Sequence, residues 1–137
     1  MVAIITYDAS HFDEVKALWE EVFPHDPPWN RAESAIPAKL AIQPGLLFVA
    51  IDRSAVIGTA MAGYDGHRGW LYSVAVRDSH RGDGIGTALV RHAEQALQAL
   101  GCGKINLQVR ATNEAVVRFY ERLGYLTEDR ISMGKRC

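Results

Sequence analysis

The sequence has little cysteine, no excess of charge of one sign and no long hydrophobic run, and each absence narrows the class of protein. Two cysteines are too few for a disulfide framework and are typical of free thiols in a reducing compartment. The formal net charge is −1, with 15 basic and 16 acidic residues interspersed, so neither a nucleic-acid-binding face nor a charged membrane-binding tail is predicted. No apolar run approaches the ~20 residues of a membrane-spanning helix. The first residues, MVAIITYDASHF, lack the basic start and apolar centre of a signal peptide. We expect a cytoplasmic protein that binds neither nucleic acid nor membrane.

The length and composition favour one globular domain. The chain has 137 residues, of which 48% are hydrophobic, and this is enough for a single core. It contains no internal repeat, linker or low-complexity segment. We therefore predict a single domain over residues 1–137.

The segment 70–97 organises the prediction, because it reads as a strand, a glycine-rich loop and a helix in direct succession. Residues 70–76 are nearly all β-branched, aromatic or apolar, which is typical of a strand covered on both faces. Polar residues at 77–80 end this strand. From Ile85 onward, apolar residues recur at helical spacing, and Gly101 is a natural stop.

Three glycines within five residues lie where this strand passes into the helix. A helix N-terminus presents unpaired N–H groups and roughly half a positive charge, and glycines let the backbone approach a bulky anion. We predict a phosphate or pyrophosphate site at residues 81–87, with Arg81 adding charge and Thr87 a hydroxyl. The alternative is a tight turn that binds nothing. The G-x-G-x-G spacing differs from the dinucleotide fingerprint, and no Lys-Ser/Thr follows as in a Walker A loop, which disfavours a nucleotide-binding domain.

The rest of the chain predicts a mixed α/β order. The predicted elements are a strand at 2–7, a helix capped by Ser10 with Asp13, a second helix starting at Asn30 and kinked or restarted at Pro37, strands at 46–51 and 55–64, the strand and helix just described, a strand at 104–110, a helix from Asn113 to Leu123, and one or two short strands between Tyr125 and Met133. The strand–helix–strand unit implies a parallel pair with a right-handed crossover.

Two motifs at this spacing and in this element order resemble those of a known family. Residues 81–86 read R-x-x-G-x-G, and residues 113–125 read N-x-x-x-x-x-F-Y-x-x-x-G-Y. They resemble the acyl-CoA pyrophosphate loop and the last-helix motif of the GNAT superfamily of N-acetyltransferases. The segment LQVR at 107–110 is similar to a strand end of protein N-terminal acetyltransferases, such as those that acetylate a ribosomal-protein alanine. The chain also resembles a bacterial subgroup of small acetyltransferases at four segments, which are PWN (28–30), GYDGHRG (63–69), YERLGY (120–125) and GKR (134–136).

The resemblance implies the acyl-CoA N-acyltransferase fold. This is a single mixed sheet of six to seven strands with about four helices. Its central parallel strands, here 70–77 and 104–110, splay apart, often at a bulge, which here would lie near Ser73–Val74. The resemblance places the pantetheine arm of acetyl-CoA, the cosubstrate, in the resulting gap, and it implies no metal.

The resemblance also assigns roles to individual residues. The backbone of Val74 and Val76 would pair with the pantetheine arm, and the N–H of Val74 would be a catalytic donor to the developing oxyanion. Asn113 would hydrogen-bond the pantetheine, while as a helix cap it needs no such role. Tyr120 would lie beside the sulfur as general acid, although helical tyrosines are more often core aromatics. The pyrophosphate would rest on the loop residues Arg81, Gly82, Asp83, Gly84, Ile85, Gly86 and Thr87.

The general base is the residue that this sequence does not supply in the expected place. Gln108 stands where the N-terminal acetyltransferases commonly have a glutamate, and an amide cannot take a proton. Other candidates are His25 and Asp26 in a proline-rich loop, and Asp65 and His67 in a turn, where His67 is alternatively a turn histidine paired to Asp65. The acceptor cleft is expected to include Trp29 and Glu33.

These observations predict an acetyl-CoA-dependent N-acetyltransferase that works by direct attack, without an acyl-enzyme. Cys102 is a poor nucleophile because it follows a helix C-terminus, where the dipole disfavours a thiolate. The acceptor is a primary amine, on a small molecule or at a protein N-terminus or lysine. The alternative function is a non-catalytic acyl-CoA-binding sensor or interaction module. Exposed edge strands would allow a homodimer to form.

Overall fold

The computed structural model describes residues 2–137. The chain divides into a larger compact unit, Met1–Leu107, and a smaller one, Gln108–Cys137. The single domain over 1–137 stays a prediction. No helix within residues 2–137 combines the length and hydrophobicity that a membrane crossing needs.

The larger unit contains one mixed sheet, as the fold-class prediction requires. Its five strands lie in chain order, each antiparallel to the next except for the last pair, which is parallel. They are β1 (Val2–Thr6), β2 (Leu47–Asp52), β3 (Ala55–Tyr64), β4 (Gly69–Val76) and β5 (Ile105–Asn106). The described residues therefore contain five strands where six to seven were expected.

Three helices cover the two faces of this sheet: α1 (Phe12–Val22), α2 (Ala32–Ile42) and α3 (Ile85–Ala99). Leu47 and Val49 of β2 pack in one core cluster with buried residues of α1 and α2. Because side chains alternate along a strand, Phe48 points to the other face, where its ring meets His92 of α3. The helix α3 thus lies opposite α1 and α2.

Gly58 of β3 lets α3 approach the sheet closely. A Cβ atom at this position would lie 2.8 Å from Leu89 Cδ1 and 3.0 Å from the carbonyl oxygen of Ala75. Both distances are shorter than van der Waals contact. The close packing of α3 on β3 and β4 therefore requires a residue without a side chain at position 58. This packing fixes the position of the start of α3 beside the end of β4.

Two predicted helix details differ from the structure. The capping box is formed by Asp8 and His11, not by Ser10 and Asp13: Asp8 accepts from the Ser10 N–H, and His11 Nδ1 accepts from the Asp8 N–H. The side chain of Asp8 comes first in the chain and its extended backbone suits a cap. The helix α2 does not restart at Pro37. Proline has no N–H, so Pro37 leaves the carbonyl oxygen of Glu33 without its helical hydrogen bond. Both residues are exposed, and water can bond this oxygen instead.

The predicted strand at 104–110 is present only as β5. It pairs with β4 at two positions, Gly69↔Ile105 and Trp70↔Asn106. Further along, β4 is bulged, and a bulge bends and twists its strand, which disfavours a long straight ladder. From Leu71 to Val76, β4 has no partner in β5.

The smaller unit contains one helix, α4 (Glu114–Arg122), which follows Asn113 at the N-cap position as expected. The strands expected between Tyr125 and Met133 are absent from this structure. The Arg130 N–H donates to the Glu128 carbonyl at 2.9 Å. A bond spanning two residues closes a γ-turn, which interrupts an extended strand.

Candidate functional site

The strand β4 carries a β-bulge at the predicted position. Tyr72 is opposite Met61 and Ala75 is opposite Thr59, so Ser73 and Val74 together face the single residue between them on β3. Ser73 has a φ of +49°, a left-handed conformation that residues other than glycine rarely adopt. The bulge expected near Ser73–Val74 is confirmed.

A buried hydrogen-bond relay holds the bulge in place. The indole N–H of Trp19 donates to Thr59 Oγ1 at 2.8 Å, and the same hydroxyl donates to the Ser73 carbonyl, also at 2.8 Å. Thr59 is 0% exposed. An unpaired hydroxyl at that depth would cost about 1–3 kcal/mol, so the relay fixes the direction of the Ser73 carbonyl.

The direction of the Ser73 carbonyl sets the direction of the Val74 N–H. The peptide bond between them is trans, so its C=O and N–H point in opposite directions. The carbonyl points towards Thr59 on β3, and the Val74 N–H therefore points away from β3. The alternation continues: the Arg77 N–H donates to Ile57 on β3 at 2.8 Å, so the Val76 N–H also faces outward. Two backbone donors thus lie along the edge of β4 that β5 does not pair.

The predicted anion loop joins this edge to the start of α3. Gly84 is the N-cap of α3, with a φ of +78°, and Gly82 has a φ of +86°. The first backbone bond of the helix runs from the Ala88 N–H to the Gly84 carbonyl at 3.0 Å. The N–H groups of the first three helical residues precede it and have no intrahelical partner. They are those of Ile85, Gly86 and Thr87.

Arg81 lies at the surface of this loop and is paired with a carboxylate. Its Nε lies 3.1 Å from Asp78 Oδ1, and its side chain is 57% exposed. An exposed pair of this kind is worth about 0–1 kcal/mol, so a bound anion could compete for the guanidinium. Asp83 in the same loop is exposed, as is Thr87.

Two contacts hold the segment that precedes the loop. The carboxylate of Glu21 in α1 accepts from Arg77 Nη1 at 3.2 Å and from the Asp78 N–H at 3.1 Å. His80 Nε2 lies 3.0 Å from Asp52 Oδ2 at the end of β2. The hydrogen bond to His80 holds the pKa of Asp52 below its usual range. The loop is therefore anchored to α1 and to β2.

A cavity of about 360 Å³ lies between the loop and the strands β1 and β2. It includes neither Val74 nor Val76, so it is separate from the edge of β4. Its lining residues are Val2, Ile4, Asp52, Arg53, His80, Asp83, Gly84, Ile85 and Ala88.

The other predicted site residues belong to the smaller unit. The ring of Tyr120 contacts those of Phe119 and Tyr125 edge to face, with centroids 4.9 Å and 5.6 Å away. Burial raises the pKa of the Tyr120 hydroxyl to about 12. Asn113 occupies the N-cap of α4, but its side chain makes no capping hydrogen bond. Gln108 Nε2 donates to Ser132 Oγ.

The candidate bases of the turn, Asp65 and His67, precede β4 and lie away from the bulge along that strand. Asp65 Oδ1 accepts from the N–H groups of His67 and Arg68, each at 2.7 Å, and these bonds lower the pKa of Asp65. A carboxylate held in this way is a weak base. Gly69 begins β4 five residues before Val74, about 16 Å of strand, and His67 precedes it. The turn interpretation of His67 fits this geometry, although its backbone and not its ring bonds Asp65.

Sequence reasoning missed the residues that position the backbone. Thr59, Trp19 and Glu21 lie far from β4 in the sequence and belong to no motif. One signal was available: Thr59 is a hydroxyl inside a run of small and apolar residues, and a buried hydroxyl requires a partner.

The chain is similar to known acetyltransferases. It matches the acetyltransferase (GNAT) family over residues 11–125. It is 44% identical over 133 residues to an acetyltransferase of Yersinia enterocolitica, which covers 97% of this chain and 94% of that one. The ribosomal-protein-S18-alanine N-acetyltransferase of Escherichia coli has a similar fold, with a TM-score of 0.75 and 23% identity over 90% of this chain and 77% of that one. So does the aminoglycoside N-acetyltransferase AAC(6')-Iy in complex with a CoA bisubstrate analogue, with a TM-score of 0.79 and 20% identity over 100% of this chain and 99% of that one.

The two solved structures show the fold alone at these identities. The family match spans most of the chain, and the Yersinia relative covers nearly all of it. Together with the bulged β4 and the open start of α3, these matches lead to one conclusion: the chain belongs to the GNAT family of acetyltransferases.

Proposed function

We propose that the protein transfers the acetyl group of acetyl-CoA to a primary amine by direct attack of the amine nitrogen. The observation that carries this proposal is the orientation of the Val74 N–H, which points away from β3 at an edge that β5 leaves unpaired. A donor in this position suits a carbonyl oxygen on which negative charge develops.

The residues of the larger unit fit acetyl-CoA. The backbone of Val74 and Val76 would pair with the pantetheine arm in the manner of an added strand, while the Val74 N–H itself faces the thioester carbonyl. The unpaired N–H groups at the start of α3 suit a diphosphate, because the helix dipole favours negative charge there. The pyrophosphate would be held by the loop 81–87, and the resemblance assigns a further bond to the pantetheine to Asn113.

When bound, acetyl-CoA supplies a thioester, whose C–S bond breaks with its electron pair leaving on sulfur as the amine nitrogen forms the new C–N bond. The Val74 N–H would donate to the carbonyl oxygen, a contribution of about 3 kcal/mol to the transition state. Tyr120 is the proposed proton donor to the departing sulfur, and its pKa of about 12 keeps the hydroxyl protonated at neutral pH. The amine nitrogen loses one proton, which passes through water to the Tyr120 oxygen and restores the hydroxyl.

The amine must be neutral before it attacks. Gln108 is an amide engaged with Ser132, so it is not a base. Tyr72 and Ser73 of β4 are not basic side chains at neutral pH. We propose that the ammonium loses its proton to solvent before the reaction, and we expect the rate to rise with pH as the free amine accumulates.

The acceptor class is proposed from the fold neighbours. One of them acts on an aminoglycoside and another on the alanine of a ribosomal protein, as their names state. We propose a primary amine for this chain, on a small molecule or at a protein N-terminus or lysine. The cytoplasmic location and the homodimer stay predictions.

The test is release of free CoA thiol from acetyl-CoA against a panel of primary amines, measured together with CoA binding by calorimetry. We expect thiol release that depends on both the amine and the protein. Tight CoA binding without thiol release from any amine would overturn the proposal. It would favour the non-catalytic acyl-CoA-binding module, an alternative that the amide at Gln108 supports.

A further inference from the structure

We infer that the acceptor of the proposed acetyl transfer carries an anionic group, a carboxylate or a phosphate, that binds at a subsite formed by Lys39, Gln43, Gly63 and Tyr72. This inference rests on the proposed function. We call these four residues the Lys39 subsite.

Lys39 is a half-buried cation without a carboxylate partner in the described residues. Its Nζ donates to the Ala62 carbonyl and to Gln43 Oε1, the latter at 3.1 Å. Both acceptors are neutral, and burial lowers the pKa of the ammonium. Two of its three N–H donors are used, which leaves one for a ligand. A partly desolvated charge without a counter-ion favours an anion brought from outside.

The side chain of Gln43 is fixed by further hydrogen bonds. It therefore cannot move to fill the place that an anion would occupy beside Lys39. Its Nε2 donates to the Tyr64 carbonyl at 2.8 Å, and its Oε1 accepts from the Tyr64 N–H at 3.1 Å. These bonds tie the end of α2 to the end of β3. Lys39 is therefore presented from a rigid support.

The side chains of the subsite converge on the surface above Gly63. A Cβ atom at Gly63 would lie 3.7 Å from Lys39 Nζ, 3.7 Å from Gln43 Oε1 and 3.6 Å from Tyr72 Cε2. Tyr72 is 49% exposed and stacks on Trp70, with the two rings inclined by 20°. The ammonium thus lies beside an open aromatic surface that can hold the aliphatic part of an acceptor.

Asp65, an acidic side chain near Tyr72, does not neutralise Lys39. Asp65 acts electrostatically on the Tyr72 hydroxyl, but its Oδ1 already accepts two backbone N–H bonds from His67 and Arg68. No ion pair within 4.0 Å joins it to Lys39 in the described residues. The positive charge therefore remains available to a ligand.

The register of the sheet relates the subsite to the reacting bond. Lys39 bonds the carbonyl of Ala62, two residues along β3 from Ala60, which faces the bulge. Two residues of strand span about 7 Å, and the Val74 N–H lies on the far side of β4 from β3, about a further 5 Å away. The anion of the acceptor would therefore be separated from the attacking amine by a chain of several atoms, which disfavours α-amino acids and favours ω-amino acids and aminoalkyl phosphates.

The test compares matched amines by thiol release from acetyl-CoA. We would measure kcat/KM for glycine, 4-aminobutyrate and 6-aminohexanoate, for the corresponding amides, and for 3-aminopropyl phosphate against 3-aminopropanol. A charge-assisted hydrogen bond predicts that the longer anionic amines exceed their neutral partners by about tenfold or more, mainly through KM. The comparison of the amino acids with 3-aminopropyl phosphate shows whether a carboxylate or a phosphate is preferred.

Variants at Lys39 locate the effect. Lys39→Met should abolish the preference for anions and Lys39→Arg should retain most of it. Lys16→Met, which removes an exposed lysine paired with Glu20, should leave it unchanged. Because the anion-to-amide ratio is also measured in the wild-type protein, the test does not depend on the folding of any variant.

Two results would overturn the inference, and they differ from failure of the proposed function. One is turnover of neutral and anionic amines at equal kcat/KM. The other is a preference for anions that Lys39→Met retains. If no amine were turned over, the proposed function would fail, and binding of 6-aminohexanoate to the CoA-loaded protein would decide the subsite. Ligand-observed NMR would show binding lost in Lys39→Met if the subsite is correct, and unchanged or absent in both proteins if it is not.

Discussion

The hydroxyl of Thr59 donates to the carbonyl of Ser73 at 2.8 Å, and this bond orients the peptide that carries the Val74 N–H. A strand residue buried under α1 thereby controls a backbone donor on the neighbouring strand. The role of Thr59 is to position that donor and not to contact the substrates.

Removing this hydroxyl should therefore lower turnover. In Thr59→Val the Ser73 carbonyl loses its donor and the bulge is free to relax. Because loss of an oxyanion donor costs about 10²–10³ in kcat, we expect a misaligned one to cost about tenfold or more. CoA affinity, set mainly by the loop at α3, should be retained. Steady-state kinetics and calorimetry separate the two.

Thr59→Ser is the matched control, since it restores the hydroxyl in nearly the same volume and should recover most of the rate. Trp19 also loses its acceptor in Thr59→Val, so the variant should be less stable by about 1–3 kcal/mol and should be assayed well below its Tm. A Thr59→Val protein that is folded and retains the wild-type kcat would remove Thr59 from this role.

Gly84→Ala tests the anion loop by backbone conformation alone. A Cβ atom there meets nothing within 4 Å, but the φ of +78° is unfavourable for alanine. The expected strain of about 1–2 kcal/mol should shift the loop and weaken CoA binding by about tenfold, measured by calorimetry with the fold checked by circular dichroism.

Gly103→Ala is the control, because its added Cβ is equally unobstructed and its φ is not in the left-handed region. CoA affinity should be unchanged there. Equal affinities in the Gly84 and Gly103 variants would contradict the placement of the diphosphate.

Tyr120→Phe should reduce kcat by about 10²-fold without changing CoA affinity. In the wild type, a hydroxyl pKa of about 12 keeps the proposed acid protonated. The rate should therefore rise with pH as the amine deprotonates and show no descending limb below about pH 11. Stopped-assay pH profiles measure this.

Tyr7→Phe, which alters another buried tyrosine with a raised pKa, should behave as the wild type. A descending limb near neutral pH, or an unaltered kcat in Tyr120→Phe, would exclude Tyr120 as the acid.

The Asp52–His80 contact should affect how the stability of the protein changes at acidic pH. The pKa of Asp52 is lowered, first of all by the hydrogen bond to His80. An aspartate whose pKa is lower in the folded state than in the unfolded state stabilises the fold at pH values above its unfolded pKa of about 3.9. This contribution to stability is lost as the pH falls through the folded pKa. Below about pH 4, the Tm of the wild type should therefore fall more steeply than that of Asp52→Asn.

Asp129→Asn, at an exposed position, should follow the wild-type curve. Scanning calorimetry between pH 6 and pH 2 gives the comparison. Parallel curves for the wild type and Asp52→Asn would show that the contact contributes nothing to stability.

The sequence predicted what local patterns determine. The alternation at 70–76 and the glycines before Ile85 identified β4, the anion loop and α3, because strand, turn and helix signals are all local. The end of α3 is local as well: the helix ends at Ala99 with Leu100 as its C-cap, and Gly101 follows with a φ of +91°, the stop that the sequence predicted.

Long-range contacts could not be predicted in the same way. Thr59 lies 14 residues from Ser73 and 40 from Trp19, and no local rule joins them. Lys39 belongs to no sequence motif, and only the packing of α2 on the sheet brings its ammonium to the Ala62 carbonyl. The segment 104–110 likewise predicts a longer strand than β5, and the bulge in β4 that disfavours a longer ladder is not a local feature of that segment.

The most direct test of the central claim is the amide resonance of Val74 in the ¹⁵N-labelled protein, compared between acetonyldethio-CoA, the ketone in which a methylene replaces the thioester sulfur, and S-ethyl-CoA, which has no carbonyl. Our account predicts a downfield shift of the Val74 amide proton with acetonyldethio-CoA alone, while the amides at the start of α3 respond to both. An identical Val74 resonance in the two complexes would show that this N–H does not bind the thioester oxygen.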